Sequence, residues 1–208
     1  MIDFIEYYKI NNHVFGECMS SPNTNLMYVY IPKNASSWTK PNLLDWKWEF
    51  YNYHSDNLYH KHAIIVLRDP VERWLSGIAE YFFLKHQDFD PAFVNKEFLD
   101  LIFDRVAFDD HTEKQVLFLQ NLNFDNATFF YCNKEYRTKF SHFLESQGMT
   151  NKYFNYEFQH VTENDPIRSK FKKFFSQILD QNPKYLQQLK WYFEKDYQLI
   201  NSTKFYAG

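Results

Sequence analysis

Two short segments each combine a cation with hydroxyls at the expected start of a helix, which is what anion binding needs. In Ile31-Pro32-Lys33-Asn34-Ala35-Ser36-Ser37-Trp38, a polar turn follows an apolar run and opens into a helical pattern. Such a loop aims backbone N–H groups and the positive end of the helix dipole at one spot. Lys33 adds a full charge, and Ser36 and Ser37 add hydroxyl donors, so the segment reads as a phosphate cradle. It is not a Walker A loop, because GxxxxGK[ST] is absent and the lysine precedes the turn. The plain alternative is an ordinary helix start, capped by Ser36 or Ser37, with a solvated lysine. The second segment is Arg68-Asp69-Pro70-Val71-Glu72-Arg73-Trp74-Leu75-Ser76-Gly77. Asp69 as cap, Pro70 at the first helical position and Glu72 three residues after the cap make a capping-box-like start. Arg68 ends a buried strand, where a permanent charge is costly without an anionic partner. Asp69 or Glu72 could be that partner. So could a bound phosphate, gripped jointly by Arg68 and by Ser76, which lies two helical turns after Asp69 on the same face.

These segments need a frame that brings them together. Leu26–Ile31 is nearly all apolar or aromatic, and Ala63–Leu67 is continuously apolar and β-branched; both read as strands covered on two faces. A third such strand is expected at Thr128–Cys132. Helices are expected from about Ser37 through the Trp-rich stretch to Tyr53, from Pro70 to Leu84, 91–106, 134–146, 167–179 and 183–197. Two strands that each feed a helix through a tight turn imply an α/β fold, a central parallel sheet flanked by helices, in one domain over 1–208. Such sheets bind ligands at the carboxyl ends of their strands, where both segments lie.

Composition narrows the function classes. With 45% hydrophobic and 21% aromatic residues the chain can build a large core, and its apolar runs fall far short of the roughly 18 residues that span a membrane. The acidic amino terminus does not resemble a signal peptide, and Cys18 and Cys132 fit no ligand spacing, so free thiols and a cytoplasmic setting are expected. A net charge of −3 gives no global field for nucleic acid. No Cys/His/carboxylate set stands at metal-ligand spacing, and no metal is expected. Phe171, Phe174, Phe175 and Ile178 recur at helical spacing as core, and Lys170, Lys172 and Lys173 read as a solvated face.

Pro32-Lys33-Asn34-Ala35-Ser36-Ser37-Trp38 resembles the 5′-phosphosulfate loop of sulfotransferases that use 3′-phosphoadenosine 5′-phosphosulfate (PAPS), and the segment from Arg68 to Gly77 resembles their 3′-phosphate segment, RDPxxRxxS. The likeness is closest to the carbohydrate group, of the heparan 2-O-sulfating and HNK-1 type, whose DxHxxxQ-like segment is similar to Asp110-His111-Thr112-Glu113-Lys114-Gln115. The resemblance implies a P-loop-like sulfotransferase fold and a sulfuryl group moved from PAPS to a hydroxyl-bearing small molecule or glycan, without metal. It places Lys33 on the 5′-phosphate and bridging oxygen, with Asn34, Ala35, Ser36 and Ser37 as loop donors. Arg68 and Ser76 fall on the 3′-phosphate, and Trp38 at a position that stacks on adenine in cytosolic relatives.

Sulfuryl transfer, by analogy with phosphoryl transfer, needs positioning, neutralisation of the leaving phosphate and a base for the acceptor hydroxyl. Lys33 suits the second task. His54 and His111 are the candidate bases, and Glu49, expected on the first helix, stays open beside them. His60 and His62 precede the second strand and so lie at the wrong end of the sheet. Two other classes remain: an ATP-dependent small-molecule kinase, disfavoured by the missing Walker A lysine and Mg²⁺ carboxylates, and a non-catalytic nucleotide- or glycan-binding module.

Overall fold

The computed structural model describes residues 15–21, 23–149 and 165–208. A five-stranded mixed sheet forms the centre, with strands β1 (Glu17–Ser20), β2 (Leu26–Val29), β3 (Glu49–Asn52), β4 (His62–Leu67) and β5 (Ala127–Tyr131) in the spatial order β3-β1-β2-β4-β5. β2, β4 and β5 run parallel, in registers such as Tyr28↔Ile64 and Leu67↔Tyr131. β1 is antiparallel to both β2 and β3. The all-parallel expectation therefore holds for the half that carries the two loops and fails for the other half. There, β1 and β2 are joined by a short turn, which allows only antiparallel pairing.

The Trp-rich stretch is the main departure in element type. Its helix, α1 (Ser36–Asp45), stops where Lys47 takes up a left-handed φ of 60°, and the N–H groups of Trp46, Lys47 and Trp48 turn back to Leu43 and Leu44. The chain then pairs as β3, with Phe50 exposed. Glu49 is thus a strand residue at the amino end of the parallel array, bonded by the Tyr51 hydroxyl, and it does not meet the strand ends that carry the loops. The remaining helices are α2 (Pro70–Lys85), α3 (Lys96–Arg105), α4 (Tyr136–Ser146), α5 (Pro166–Gln181), α6 (Pro183–Tyr192) and α7 (Glu194–Ser202). The expected helix over 91–106 divides into a 3₁₀ turn and α3, with the Asn95 side chain capping the latter. The one over 183–197 breaks at Phe193.

β4 explains the layering. Its alternate residues point to opposite faces. Ile64 and Val66 pack with Trp38, Leu43, Phe130, Tyr136 and Phe140 under α1 and α4. Ala63, Ile65 and Leu67 pack with Val29, Tyr53, Phe118 and Phe129, covered by a 3₁₀ helix (Gln115–Leu119) and by Leu199 and Ile200 of α7. A third cluster, around Trp74, Phe82, Phe103, Phe171, Phe175 and Leu189, joins α2, α3, α5 and α6 beside the sheet. No helix among the described residues is long and apolar enough to cross a membrane.

Candidate functional site

The site grows from the carboxyl ends of β2 and β4. After β2 the chain reverses through Lys33 (φ 67°) and Ala35 (φ 59°), both in the left-handed region that residues other than glycine seldom occupy. Alternation of this kind turns successive N–H groups into a concave, anion-accepting surface. Ala35, not a serine, stands at the N-cap of α1, and no side chain caps the helix. The expected cap at Ser36 or Ser37 is therefore absent. Ser36 is buried with its hydroxyl on Tyr30, and Ser37 is exposed. The N–H groups of Ser36 and Ser37 have no earlier helical carbonyl to bond, whereas that of Trp38 bonds the Ala35 carbonyl at 3.0 Å.

After β4 the turn is closed. Asp69 accepts from the Glu72 N–H at 2.9 Å, and Pro70 has no N–H to satisfy. The Arg68 guanidinium reaches back across the two turns and donates to the Lys33 carbonyl at 3.1 Å, with Glu72 more distant at 3.8 Å. The Arg68 side chain thus meets the Lys33 backbone. Ser76 is buried and lies on the same helix, but its hydroxyl donates to the Glu72 carbonyl at 3.1 Å.

Two buried networks hold the turns together. Arg73, 1% exposed, donates to the carbonyls of Pro32 (2.9 Å), Asp110 (3.0 Å) and Glu113, so α2 is stapled to the cradle and to the 108–113 loop at once. Burial lowers its pKa to about 10, against the opposing pull of Asp196, Asp110, Asp109 and Glu113, which leaves it charged at neutral pH. Gly77 allows that same close approach, since a Cβ there would run into the His111 carbonyl. Gln115 brackets Arg68 by donating to its carbonyl (2.9 Å) and accepting from its N–H (3.0 Å). The Asn34 amide, fully buried, donates to Gln115 at 2.6 Å and to the Val66 carbonyl at 2.7 Å. Asp196 of α7 in turn accepts from the N–H groups of Gln115 and Val116.

These contacts change the roles expected for two residues. Asn34 ties the cradle to β4 with its side chain, and its own N–H bonds Ile31, so it is a strut and not a ligand donor. Trp38 is 3% exposed and packs edge-on against Tyr136 and Phe140. The first turn of α1 points it into the core, which removes it from any stacking on a nucleobase.

Lys33 has a partner that its own segment does not announce. Its ammonium meets Glu80 Oε2 at 3.0 Å, and Glu80 is gripped by Arg168 through Nε (2.6 Å) and Nη2 (3.0 Å). Burial lowers the Lys33 pKa below the usual lysine value, and Glu80 works against that shift. Burial opposes the charge on Glu80, but the Arg168 and Lys33 contacts outweigh it and hold the carboxyl at about 2.

The two histidines differ. His111 Nδ1 contacts Asp109 Oδ2 at 3.0 Å and Asp110 Oδ1 at 3.1 Å. Burial disfavours its charge, yet hydrogen bonds and charge from both aspartates overcome this and push the pKa up to about 9. Potential ligand atoms of these three residues lie within 4.8 Å of one another, a grouping their adjacency in sequence did not suggest. A cation would have to displace the proton that the two carboxylates hold on the imidazole, so the trio reads as a closed ion cluster. The Asp109 carboxylate is close enough to act on the Lys33 charge, which sets this turn beside the cradle. His54 follows β3, two strands across from β2 on the same edge of the sheet, with Nδ1 bonded to the Tyr59 hydroxyl. Burial lowers its pKa, so it is neutral at pH 7.

The chain matches no protein-family model, no curated protein and no solved structure. Glu80 sits one helical turn after Ser76, a spacing that could have flagged it, whereas Arg168 had no local signal because its partner is 88 residues away. Arg73 and Gln115 stood inside the motif-like segments with no role attached, and Asp196 lay in the Tyr192–Tyr197 stretch, which bears a weak likeness to the same sulfotransferase family, with no role attached either.

Proposed function

We propose that the chain is a PAPS-dependent sulfotransferase acting on a hydroxyl acceptor, a carbohydrate by its resemblance in sequence. The observation that carries this reading is the Arg68 guanidinium bonded to the Lys33 carbonyl, which ties the turn after β4 to the turn that opens into the uncapped start of α1. The Lys33 side chain leaves the same turn, with its ammonium on Glu80. In this reading the N–H groups of Ala35, Ser36 and Ser37 and the Lys33 ammonium hold the 5′-phosphosulfate, and Arg68 takes the 3′-phosphate. Ser76 joins Arg68 only by giving up its bond to Glu72.

PAPS supplies an activated sulfuryl group whose S–O bond to phosphate breaks as a bond to the acceptor oxygen forms, leaving 3′,5′-ADP. Lys33 places positive charge where the leaving phosphate gains negative charge. The acceptor proton needs a neutral base, and of the two histidines only His54 is neutral at pH 7. In the tautomer that donates Nδ1–H to Tyr59, its Nε2 is the accepting atom. His111, an imidazolium at that pH, offers charge to an anionic group and not proton uptake.

Titration calorimetry with 3′,5′-ADP, AMP and ATP·Mg²⁺ tests the reading. Tightest binding is expected for 3′,5′-ADP, and a preference for ATP·Mg²⁺ would overturn the sulfotransferase assignment. Transfer of labelled sulfate from PAPS across a panel of neutral and acidic glycans tests catalysis, and silence with tight nucleotide binding would make the protein a binding module.

A further inference from the structure

The Glu80 carboxylate is held between two cations, Arg168 and Lys33. Arg168 binds both of its oxygens, while the guanidinium lies 3.7 Å over the Phe83 ring and is held by Asp165 at 2.8 Å. Asp165 also caps α5 by accepting from the N–H groups of Ile167 and Arg168, so the guanidinium is anchored to the start of that helix. Glu80 itself is largely buried on α2, in line with Ser76. The free end of this chain of contacts is the Lys33 ammonium, at 3.0 Å. A bidentate arginine fixes a carboxylate far more tightly than a lysine can, because the planar fork sets both direction and distance. Lys33, with four rotatable bonds and a compact charge, follows where that carboxylate is placed.

We propose that Glu80, shared between Arg168 and Lys33, is a positioning residue that fixes where the Lys33 ammonium sits and keeps it charged beside the loop. The consequence for catalysis rests on the sulfotransferase reading. The ammonium has three N–H donors, so it can hold Glu80 with one and still offer two to the leaving phosphate. Glu80 makes no contact with the nucleotide in this scheme and acts only through Lys33.

The groups facing Lys33 give the inference a signed test. Burial and the Arg168 charge weaken proton binding by Lys33, while Glu80 and Asp109 strengthen it. Removing the Glu80 charge should release the proton at lower pH. Removing Arg168 leaves the carboxylate to Lys33 alone and takes away a neighbouring cation, so release should move to higher pH. The full-length chain and its Glu80→Gln, Arg168→Gln and Glu80→Asp variants are labelled with an amine-acylating reagent across pH 7 to 11, and modification of Lys33 is followed by peptide mass spectrometry. Relative to the wild type, the midpoint for Glu80→Gln is expected to fall by about one pH unit, a tenfold change in proton affinity. Arg168→Gln should move it upward, and Glu80→Asp should restore part of the wild-type value. A merely structural role would move both Gln variants the same way or neither, and either result would overturn the inference. Parallel titrations with 3′,5′-ADP separate the two claims. If the wild type binds no nucleotide, the sulfotransferase reading fails while the labelling midpoints still decide the role of Glu80. If it binds, Glu80→Gln should lose affinity more steeply than wild type as pH rises above 8, and parallel pH profiles would count against positioning.

Discussion

The turns after β2 and after β4 do the same topological task and satisfy their backbones in opposite ways. Each takes a parallel strand into a helix at the same edge of the sheet. After β4, Asp69 caps α2, Pro70 removes one donor and Glu72 faces the positive end of the helix dipole, so the start of that helix has little left to offer a ligand. After β2, two left-handed residues and an alanine at the N-cap leave the start of α1 without a side-chain cap. Backbone strain is kept in a protein only where its surroundings enforce it. Here the enforcement comes from the closed turn and its helix: Arg73 holds the Pro32 carbonyl, Arg68 holds the Lys33 carbonyl and Glu80 holds the Lys33 ammonium. One turn is closed on itself, and the other is held open by it.

That contrast can be broken most forcefully at Arg73. Arg73→Met removes the donor to three backbone carbonyls in a buried place and should cost about 3 kcal/mol or more of unfolding free energy, read from a urea transition. A loss below about 1 kcal/mol would mean that the open turn holds its shape unaided.

Next in size is the bridge between the turns. Arg68→Ala should weaken 3′,5′-ADP binding by about tenfold to a hundredfold, the range for a charged hydrogen bond, and weaken AMP binding far less. Equal losses for both nucleotides would remove Arg68 from the 3′-phosphate.

The loop that Arg73 and Gly77 draw toward the cradle carries a pH signature. His111 has a folded pKa of about 9 against 6.5 when unfolded, so its contribution to stability is complete below pH 6.5 and is lost as pH rises through 9. Unfolding free energy should therefore decline over that window by roughly 3 kcal/mol, and His111→Gln should flatten the decline. An unchanged slope in the variant would show that the two aspartates do not hold the proton.

The smallest effects compare the caps directly. Asp69→Ala should cost about 1 kcal/mol, as loss of a real N-cap does, whereas Ser37→Ala should stay within about 0.5 kcal/mol. Thermal or urea unfolding of the pair settles it; similar losses would show that α1 has a side-chain cap after all.

Local chemistry was legible in the chain where it is self-contained. The capped start at Asp69, the proline at the first helical position and the doubly buried strand ending at Leu67 all depend on neighbours within a few residues, and the structure keeps them. The short strands β1 and β3 were not legible, because four residues carry too little periodicity, and at β3 the helix-like spacing of Trp46 and Trp48 with the leucines before them outweighs it. Trp38 shows the limit for a site residue. An aromatic next to a binding loop can face a ligand or the core with equal ease in sequence, and the rotation of α1 on the sheet decides in favour of the core.

The order of residues by itself determined where helices and strands begin at the two turns, and that Lys33 and Arg68 would stand at the ends of neighbouring strands. Only the tertiary structure decided which polar groups are already spent. Asn34 is spent on Gln115 and Val66, Ser76 on its own helix, and Glu80 on an arginine that approaches from the far end of the chain. Hydrogen bonds and ion pairs act over a few ångströms, and which groups come that close is set by how the helices pack, not by their separation along the chain.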